Sequence, residues 1–333
     1  MPKIIADAID QVISLEMRFA EGLPRGVNRP LYEEARKAQG SEPLVYLAGT
    51  RLFNKVNRRD FVLIVTGSGQ RMGLHKGETD GPLGAASLAR VLDFGLGARC
   101  VIVCDPDHVE PIVASMEAVG ISVIDQERLE NRPHTTIIEQ YPLGPKHGQT
   151  FAKKLLDTYQ PKAVIFVEKT GPNINGTHHS ITGTEKNPNE IGHSYHLADI
   201  AHDRDIFTLG IGDGGNEVGN GLIYESVIRL QPHGAKVATV TKTDVLISAG
   251  VSNWGAYGVA AFLAYLLKDP DLFQNEELED YMLRQCVAAG ATDGAYVAQL
   301  LYVDGTSLRL NVAMVTILRE IITNGLKVIY RSF

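Results

Sequence analysis

Phe61-Val-Leu-Ile-Val-Thr66 runs directly into Gly67-Ser-Gly-Gln-Arg-Met-Gly73, and beyond a stretch of helical spacing at 84–94 comes a second apolar run, Arg99-Cys-Val-Ile-Val-Cys104. Neither run alternates apolar with polar residues. Continuous β-branched runs of this length are what strands covered on both faces look like, and such strands belong to parallel sheets whose crossovers are helices. The unit predicted is strand, glycine-rich turn, helix, strand.

The same rhythm recurs outward from this unit. Further strands are predicted at 121–124, 163–167, 206–211, 236–241, 245–248 and 326–330. Helices are predicted at 106–119, 149–159, 254–268, 276–289 and 307–324, the last stopped by Gly325. The fold class expected is α/β, a mainly parallel, doubly wound sheet with helices on both faces. Unequal gaps and the strand-poor stretch 171–205 argue against a closed eightfold barrel. Residues 1–50 read as a helical preface, with one helix over 4–19, a loop at 22–30 and a second helix near 31–37. No linker-like segment divides the chain, so 1–333 is expected to be a single domain with the preface packed on it.

Composition narrows the function classes. Among 333 residues, Lys+Arg 32 against Asp+Glu 39 gives a net charge of −7 with no basic block. That disfavours a nucleic-acid groove or an anionic membrane surface. Three cysteines without a CxxC pair offer neither a disulfide framework nor a zinc or redox centre, and Cys100 and Cys104 read as small core residues. No leader and no stretch of membrane-spanning length is apparent, so a cytoplasmic location is expected.

In an open α/β sheet, ligands collect beyond the carboxyl ends of the strands. Four segments there are rich in glycine and polar groups. Thr66–Gly73 spaces its glycines GxGxxxG and lacks the acidic partner of a dinucleotide site, while Lys76 is followed by Gly77 and Glu78 rather than by a Walker serine or threonine; it reads as a turn-rich loop. In Glu78-Thr-Asp-Gly-Pro-Leu-Gly84, Asp80 suits a helix cap and Pro82 a first helical turn, which leaves Glu78 unexplained and makes the two carboxylates candidates for a ligand or metal. Gly210-Ile-Gly-Asp-Gly-Gly-Asn-Glu-Val-Gly-Asn-Gly221 holds six glycines in twelve residues, with Asp213, Asn216 and Glu217 at i, i+3 and i+4. If this segment opens a helix, three oxygen donors share one face, a set suited to Mg²⁺ or Mn²⁺ rather than zinc. A helix cap with exposed carboxylates, or a phosphate loop, are the rival readings. Finally, Glu168 and Lys169 offer a base and a cation at a strand end, and Ser252 and Asn253 can cap a helix or face a ligand. The loop 170–189 is longer than an ordinary connection and is expected to serve function or move. Six of ten histidines lie in one stretch (His178, His179, His193, His196, His202, His233), but without an HExxH pattern they read as solvated or capping groups.

Taken in order, Glu78-Thr-Asp-Gly-Pro-Leu-Gly-Ala85, Gly212-Asp-Gly-Gly-Asn-Glu-Val-Gly219 and Ala249-Gly-Val-Ser-Asn-Trp-Gly255 resemble the D-glutamate cyclase family, in its carboxy-terminal catalytic domain. The resemblance spans nearly the whole chain. Glu168-Lys-Thr-Gly171 and Asn175-Gly176 also resemble a family segment, while Pro172, His178 and His179 depart from it in a way that bears on substrate identity. The resemblance implies a hydro-lyase that cyclises D-glutamate to 5-oxo-D-proline with loss of water. With it go a small acidic amino acid as partner, a divalent cation, and an open question of homo-oligomerisation. Metal candidates are Glu78, Asp80, Asp213, Asn216 and Glu217. Asp213, Glu217, Glu168 and Asp80 are candidates for catalysis, and Lys169, Asn173, Asn175, His178, Ser252 and Asn253 for substrate contact. A metal-assisted hydrolase or lactam-opening enzyme, and a non-catalytic amino-acid-binding protein, are the alternatives.

Overall fold

The structure is a computed structural model that describes residues 1–19, 22–70, 73–125 and 132–327, and its frame is a seven-stranded sheet. The strands are β1 (Phe61–Thr66), β2 (Arg99–Cys104), β3 (Ser122–Val123), β4 (Thr135–Gln140), β5 (Ala163–Val167), β6 (Phe207–Gly212) and β7 (Val245–Ser248). Their order is β3-β4-β2-β1-β5-β6-β7, and every pair is parallel. The chain winds from β1 toward one edge, then returns to lay β5 beside β1 and winds toward the other. The crevice of such a sheet therefore opens between β1 and β5.

Helices cover both faces, as expected of strands that are buried throughout. Along the strands, side chains alternate between two cores. Val62, Ile64, Ile102, Ile165 and Leu209 join the larger one, while Leu63, Val65, Val101, Val164 and Phe166 join the smaller. The larger core is filled by α1 (Pro2–Ile13), α2 (Asn28–Ala38), α3 (Leu44–Lys55), α4 (Pro82–Arg90), α5 (Val109–Ala118) and, later in the chain, α10 (Ser252–Leu267), α11 (Glu276–Ala288) and α12 (Leu308–Leu326). The other face carries α6 (Gly148–Tyr159) and α7 (His196–His202). Between α7 and α10 in the chain come two short helices, α8 (Tyr224–Leu230) and α9 (Gly234–Val237), and a small antiparallel hairpin, β8 (Tyr302–Val303) with β9 (Thr306–Ser307), precedes α12. Helix α10 is buried from Ser252 to Tyr265, and a helix apolar all round belongs in the middle of a layer. Among the described residues no helix is long and apolar enough to cross a membrane.

Several expectations are corrected. The run 236–241 is not a strand: α9 ends at Val237, and Thr239 Oγ1 donates to the Pro172 carbonyl, fixing an irregular segment. The predicted strand at 326–330 gives its first residue to the end of α12, while 328–330 lie outside the described residues. Gly325 does not stop α12 but sits inside its last turn, where an added Cβ would meet Ile5 Cδ1 at 2.6 Å; it is small so that α1 can pack there. Helix α1 ends at Ile13, six residues short of the predicted 19. The segment 213–220 is a loop rather than a helix opening. At the open edge, Gln39, just past α2, accepts from the Leu246 amide (3.0 Å) and donates to the Leu246 carbonyl (2.9 Å), so that one side chain pairs with β7 as a neighbouring strand would.

Candidate active site

Three of the candidate carboxylates come together beyond the carboxyl ends of β1, β5 and β6. Asp80 precedes α4, Glu168 directly follows β5 and Asp213 directly follows β6. All are buried, and oxygens of the three lie within 4.8 Å of one another. The turn that allows this is made by Gly81, whose φ is +102°; a Cβ there would sit 2.8 Å from Thr66 Oγ1 and 3.2 Å from Glu168 Cβ. Glu168 itself holds φ +48°, a left-handed conformation uncommon for a side-chain-bearing residue and concentrated at functional sites.

The amides at the start of α10 organise the cluster. A helix N-terminus leaves N–H groups without intrahelical partners and favours negative charge. Asn253 N donates to Asp80 Oδ1 (2.7 Å), and Ser252 N donates to Oδ2 of both Asp80 (3.0 Å) and Asp213 (3.1 Å). Ser252 Oγ donates to Glu168 Oε2 at 2.5 Å. In return, Asn253 Oδ1 accepts from Gly81 N and Gly84 N, both at 2.8 Å, and so caps α4. Ser252 and Asn253 thus lie inside α10 rather than capping it, and Asp80 shares the capping of α4 with Asn253: both accept from Gly81 N, and Asn253 alone from Gly84 N.

The charge balance of this floor is unfavourable for carboxylates alone. Burial pushes Asp80, Glu168 and Asp213 well above the ordinary carboxylate range, and mutual repulsion adds to it. Glu78, nearby, is pushed up to about 8, mainly by burial and then by Asp304, against an opposing pull from Lys186. Arg18 answers part of this charge. Its Nη1 donates to Asp213 Oδ1 (3.0 Å) and to Asp304 Oδ2. Burial would depress the guanidinium, but Asp213 and Asp304 outweigh it and raise its pKa above the ordinary value. A cluster of three carboxylates without Cys or His is a hard, all-oxygen donor set that fits Mg²⁺ or Mn²⁺, and a divalent cation would relieve the repulsion that burial imposes.

Above the floor lies a cavity of about 240 Å³, below the range of about 300–1,000 Å³ typical of drug-sized ligands. Its walls include Arg18, Ser68, Glu78, Glu168, Lys186, Asp213 and Asp304. Lys186 Nζ donates to Ser68 Oγ at 3.1 Å and is buried.

Other candidates are placed differently. Glu217 lines the cavity, but its carboxylate accepts from Gly214 N (2.9 Å), Gly215 N (2.8 Å) and Asn220 Nδ2 (2.9 Å), so it closes the glycine loop and stands outside the three-carboxylate cluster. Asn216 donates from Nδ2 to the His179 carbonyl. Glu78 lies on the wall with Lys186. The Lys169 ammonium is occupied by Asp105 (2.8 Å) and the Gly67 carbonyl (3.0 Å). Asn173 Oδ1 accepts from the amides of Asn175 and Thr177 and holds its own loop, and Asn175 is exposed. His178 is buried between the His193 and Tyr195 rings with neither ring nitrogen bonded among the described residues, and burial pushes it down to about 3. Sequence reasoning missed Arg18, Ser68, Lys186 and Asp304. Lys186 falls in the long loop 170–189 whose length marked it as functional; Arg18 and Asp304 stand in no motif.

A family model described as "D-glutamate cyclase-like, C-terminal" matches residues 29–319. Over 62 residues the chain is 47% identical to the Homo sapiens protein "D-glutamate cyclase, mitochondrial", a match covering 19% of this chain and 10% of that protein. The comparison with that relative therefore reaches only a tenth of its length.

Proposed function

The chain belongs to the D-glutamate cyclase-like family, and from that membership we propose that it cyclises D-glutamate to 5-oxo-D-proline with release of water. The observation that carries this reading is the meeting of Asp80, Glu168 and Asp213, the last two of which line a cavity of amino-acid size. A Mg²⁺ or Mn²⁺ ion held by those three carboxylates would act as a Lewis acid on the substrate's γ-carboxylate, which is otherwise a poor electrophile because it is charged.

The proton inventory defines what the chain must do. The α-ammonium gives up two protons, the nitrogen bonds to the γ-carbon, and one γ-oxygen departs with both protons as water. No net proton is exchanged with solvent, so a group that takes a proton from nitrogen and returns it to oxygen suffices. Glu78 lines the cavity, and a carboxyl pushed up to about 8 is close to the pH at which such a carrier works best. Lys186, beside it, supplies positive charge for the substrate's α-carboxylate. Ser252 Oγ fixes the Glu168 carboxylate, and the α10 amides orient Asp80 and Asp213, so the floor is preorganised before substrate arrives.

Purified protein incubated with D- or L-glutamate, with Mn²⁺, Mg²⁺ or chelator, tests this, with the product separated by chiral chromatography. The expected outcome is 5-oxo-D-proline from D-glutamate only, suppressed by chelator. Binding without turnover would favour an amino-acid-binding protein, and opening of the lactam without its formation would favour a hydrolase.

A further inference from the structure

We infer that Arg18 is a specificity-determining catalytic residue: its guanidinium receives the reacting γ-carboxylate of the substrate and selects an anionic side chain over its neutral amide. This deepens, and rests on, the D-glutamate reading. Arg18 lies before the residues that the family model matches, on the segment that leaves α1, and the fold goes to some length to bring it to the cavity.

The segment is fixed at both ends. Gly250 N donates to the Ile13 carbonyl at 2.8 Å, and a Cβ on Gly250 would stand 2.0 Å from the Leu15 carbonyl oxygen, so the glycine just before α10 is where the segment crosses. Farther along, Glu16 accepts from the amides of Gly26 and Asn28, which closes the loop, and Asn28 Nδ2 donates to the Asp213 carbonyl (2.8 Å) and the Ala249 carbonyl (3.2 Å). Arg18 is thereby held against Asp213, only 5% exposed and lining the cavity.

The guanidinium is not used up by its acidic neighbours. Nη1 serves Asp213 and Asp304, and Nη2 makes a long contact of 3.4 Å with the Asp213 carbonyl. Nε is buried without a hydrogen-bond partner among the described residues. A buried donor left unmade is costly, and a ligand oxygen at this wall would satisfy it. The placement decides which oxygen. Nη1 holds Asp213, a member of the carboxylate cluster at which the γ-carboxylate is activated, so the oxygen that meets the guanidinium is a γ-oxygen. As the nitrogen bonds to the γ-carbon, charge gathers on the γ-oxygen that stays behind, and a fixed guanidinium there stabilises it. An attacked γ-amide would gather the same charge, but only the γ-carboxylate arrives already anionic, so Arg18 discriminates D-glutamate from D-glutamine as the substrate binds.

The test uses the full chain. Turnover of D-glutamate and D-glutamine is measured for wild type, Arg18→Lys and Arg18→Gln, and calorimetry follows glutarate and its monoamide, which bind without reacting. Loss of one oxyanion donor should lower kcat for either substrate by about a hundredfold, and Arg18→Gln should in addition raise KM for D-glutamate but not for D-glutamine. The wild-type preference for glutarate over its monoamide should vanish in Arg18→Gln. Methylguanidine should restore part of the activity of Arg18→Ala, which a misfolded variant would not allow. A folded Arg18→Gln that keeps both preferences, and loses only melting temperature, overturns the inference and leaves Arg18 a structural tie. A wild type inert toward D-glutamate that still prefers glutarate through Arg18 would overturn the reaction and keep the anion-reading role.

Discussion

Asp80 and Asp213 share one donor: the backbone N–H of Ser252 lies 3.0 Å from Oδ2 of the first and 3.1 Å from Oδ2 of the second. One N–H cannot neutralise two buried carboxylates: burial, above all, holds both in the protonated direction, and neighbouring carboxylates add to it. Neutralising Asp80 as Asp80→Asn should leave metal-free melting temperature unchanged or higher. It should also abolish the upward shift that Mn²⁺ gives the wild type and lower turnover by about a hundredfold or more. Differential scanning fluorimetry with chelator and with Mn²⁺ reads the first two effects. A folded Asp80→Asn with undiminished turnover removes the cluster from the chemistry.

Lys169 offers a separate test of what holds the site in place. Burial would raise the Asp105 carboxyl, but Lys169 outweighs it and holds it below the ordinary value. Removing the cation as Lys169→Met strands a buried charge, and the expected loss is about 3–5 kcal/mol of stability by urea denaturation. Asp105→Asn added to Lys169→Met should return a substantial part of it. A double variant no more stable than Lys169→Met would show that the damage lies in the lost bond to the Gly67 carbonyl.

Stability should depend on pH through Glu279, which lies between α11 and α10 with Tyr257 Oη at 3.1 Å. Burial raises its carboxyl from 4.5 to about 7 in the folded chain, despite the opposing bonds from Tyr257 and Gln274. A carboxyl raised on folding favours the native state while protonated. Its contribution is complete below about 4.5 and is lost as pH rises through about 7. Asp10, raised to about 6 mainly by burial, acts in the same direction. Urea midpoints should therefore fall between pH 5 and 8, and Glu279→Gln should flatten the decline, roughly 2 kcal/mol being at stake. An equal slope in the variant would exclude Glu279 as its source.

Gly84 lets α4 and α10 touch. A Cβ there would lie 2.8 Å from Ala256 Cβ and 3.1 Å from Asn253 Cα, neither of which can swing away. Gly84→Ala should cost about 1–3 kcal/mol despite alanine's better helix propensity, and should also reduce turnover because Asn253 is displaced from Asp80. Measurement of both in one preparation checks the coupling. Stabilisation by this substitution would show that the helices have slack.

The parallel sheet was legible because β1, β2, β5 and β7 are apolar runs with nothing else competing for them; their predicted and observed limits coincide. Strand β4, Thr-Thr-Ile-Ile-Glu-Gln, escaped notice because most of its residues are polar, and its Thr136 hydroxyl finds its shorter bond in the Cys100 carbonyl of β2. Helix α3 was hidden by Gly49, which looks like a breaker but is small because Phe262 of α10 presses on it, Cδ1 2.6 Å from a would-be Cβ. At the site, Glu78, Asp80, Glu168 and Asp213 were visible from glycine-rich turns after strands. Their division of labour was not, since regular i, i+3, i+4 spacing suggested a helix face where the chain makes a loop. Arg18 and Asp304 could not be read at all: they meet only through tertiary packing, from opposite ends of the sequence.

The amide of Gln39 against Leu246 has a consequence for how copies of this chain meet one another. An open sheet edge is a template on which a second chain can add a strand, the route to unwanted aggregation. Here one rim ends in β3, only two residues long, and on the other the outward N–H and C=O of Leu246 are already taken by a side chain. Among the described residues, neither rim of this sheet presents a long free strand. Gln39→Ala, which reopens the rim at β7, is the change that should turn a well-behaved solution cloudy.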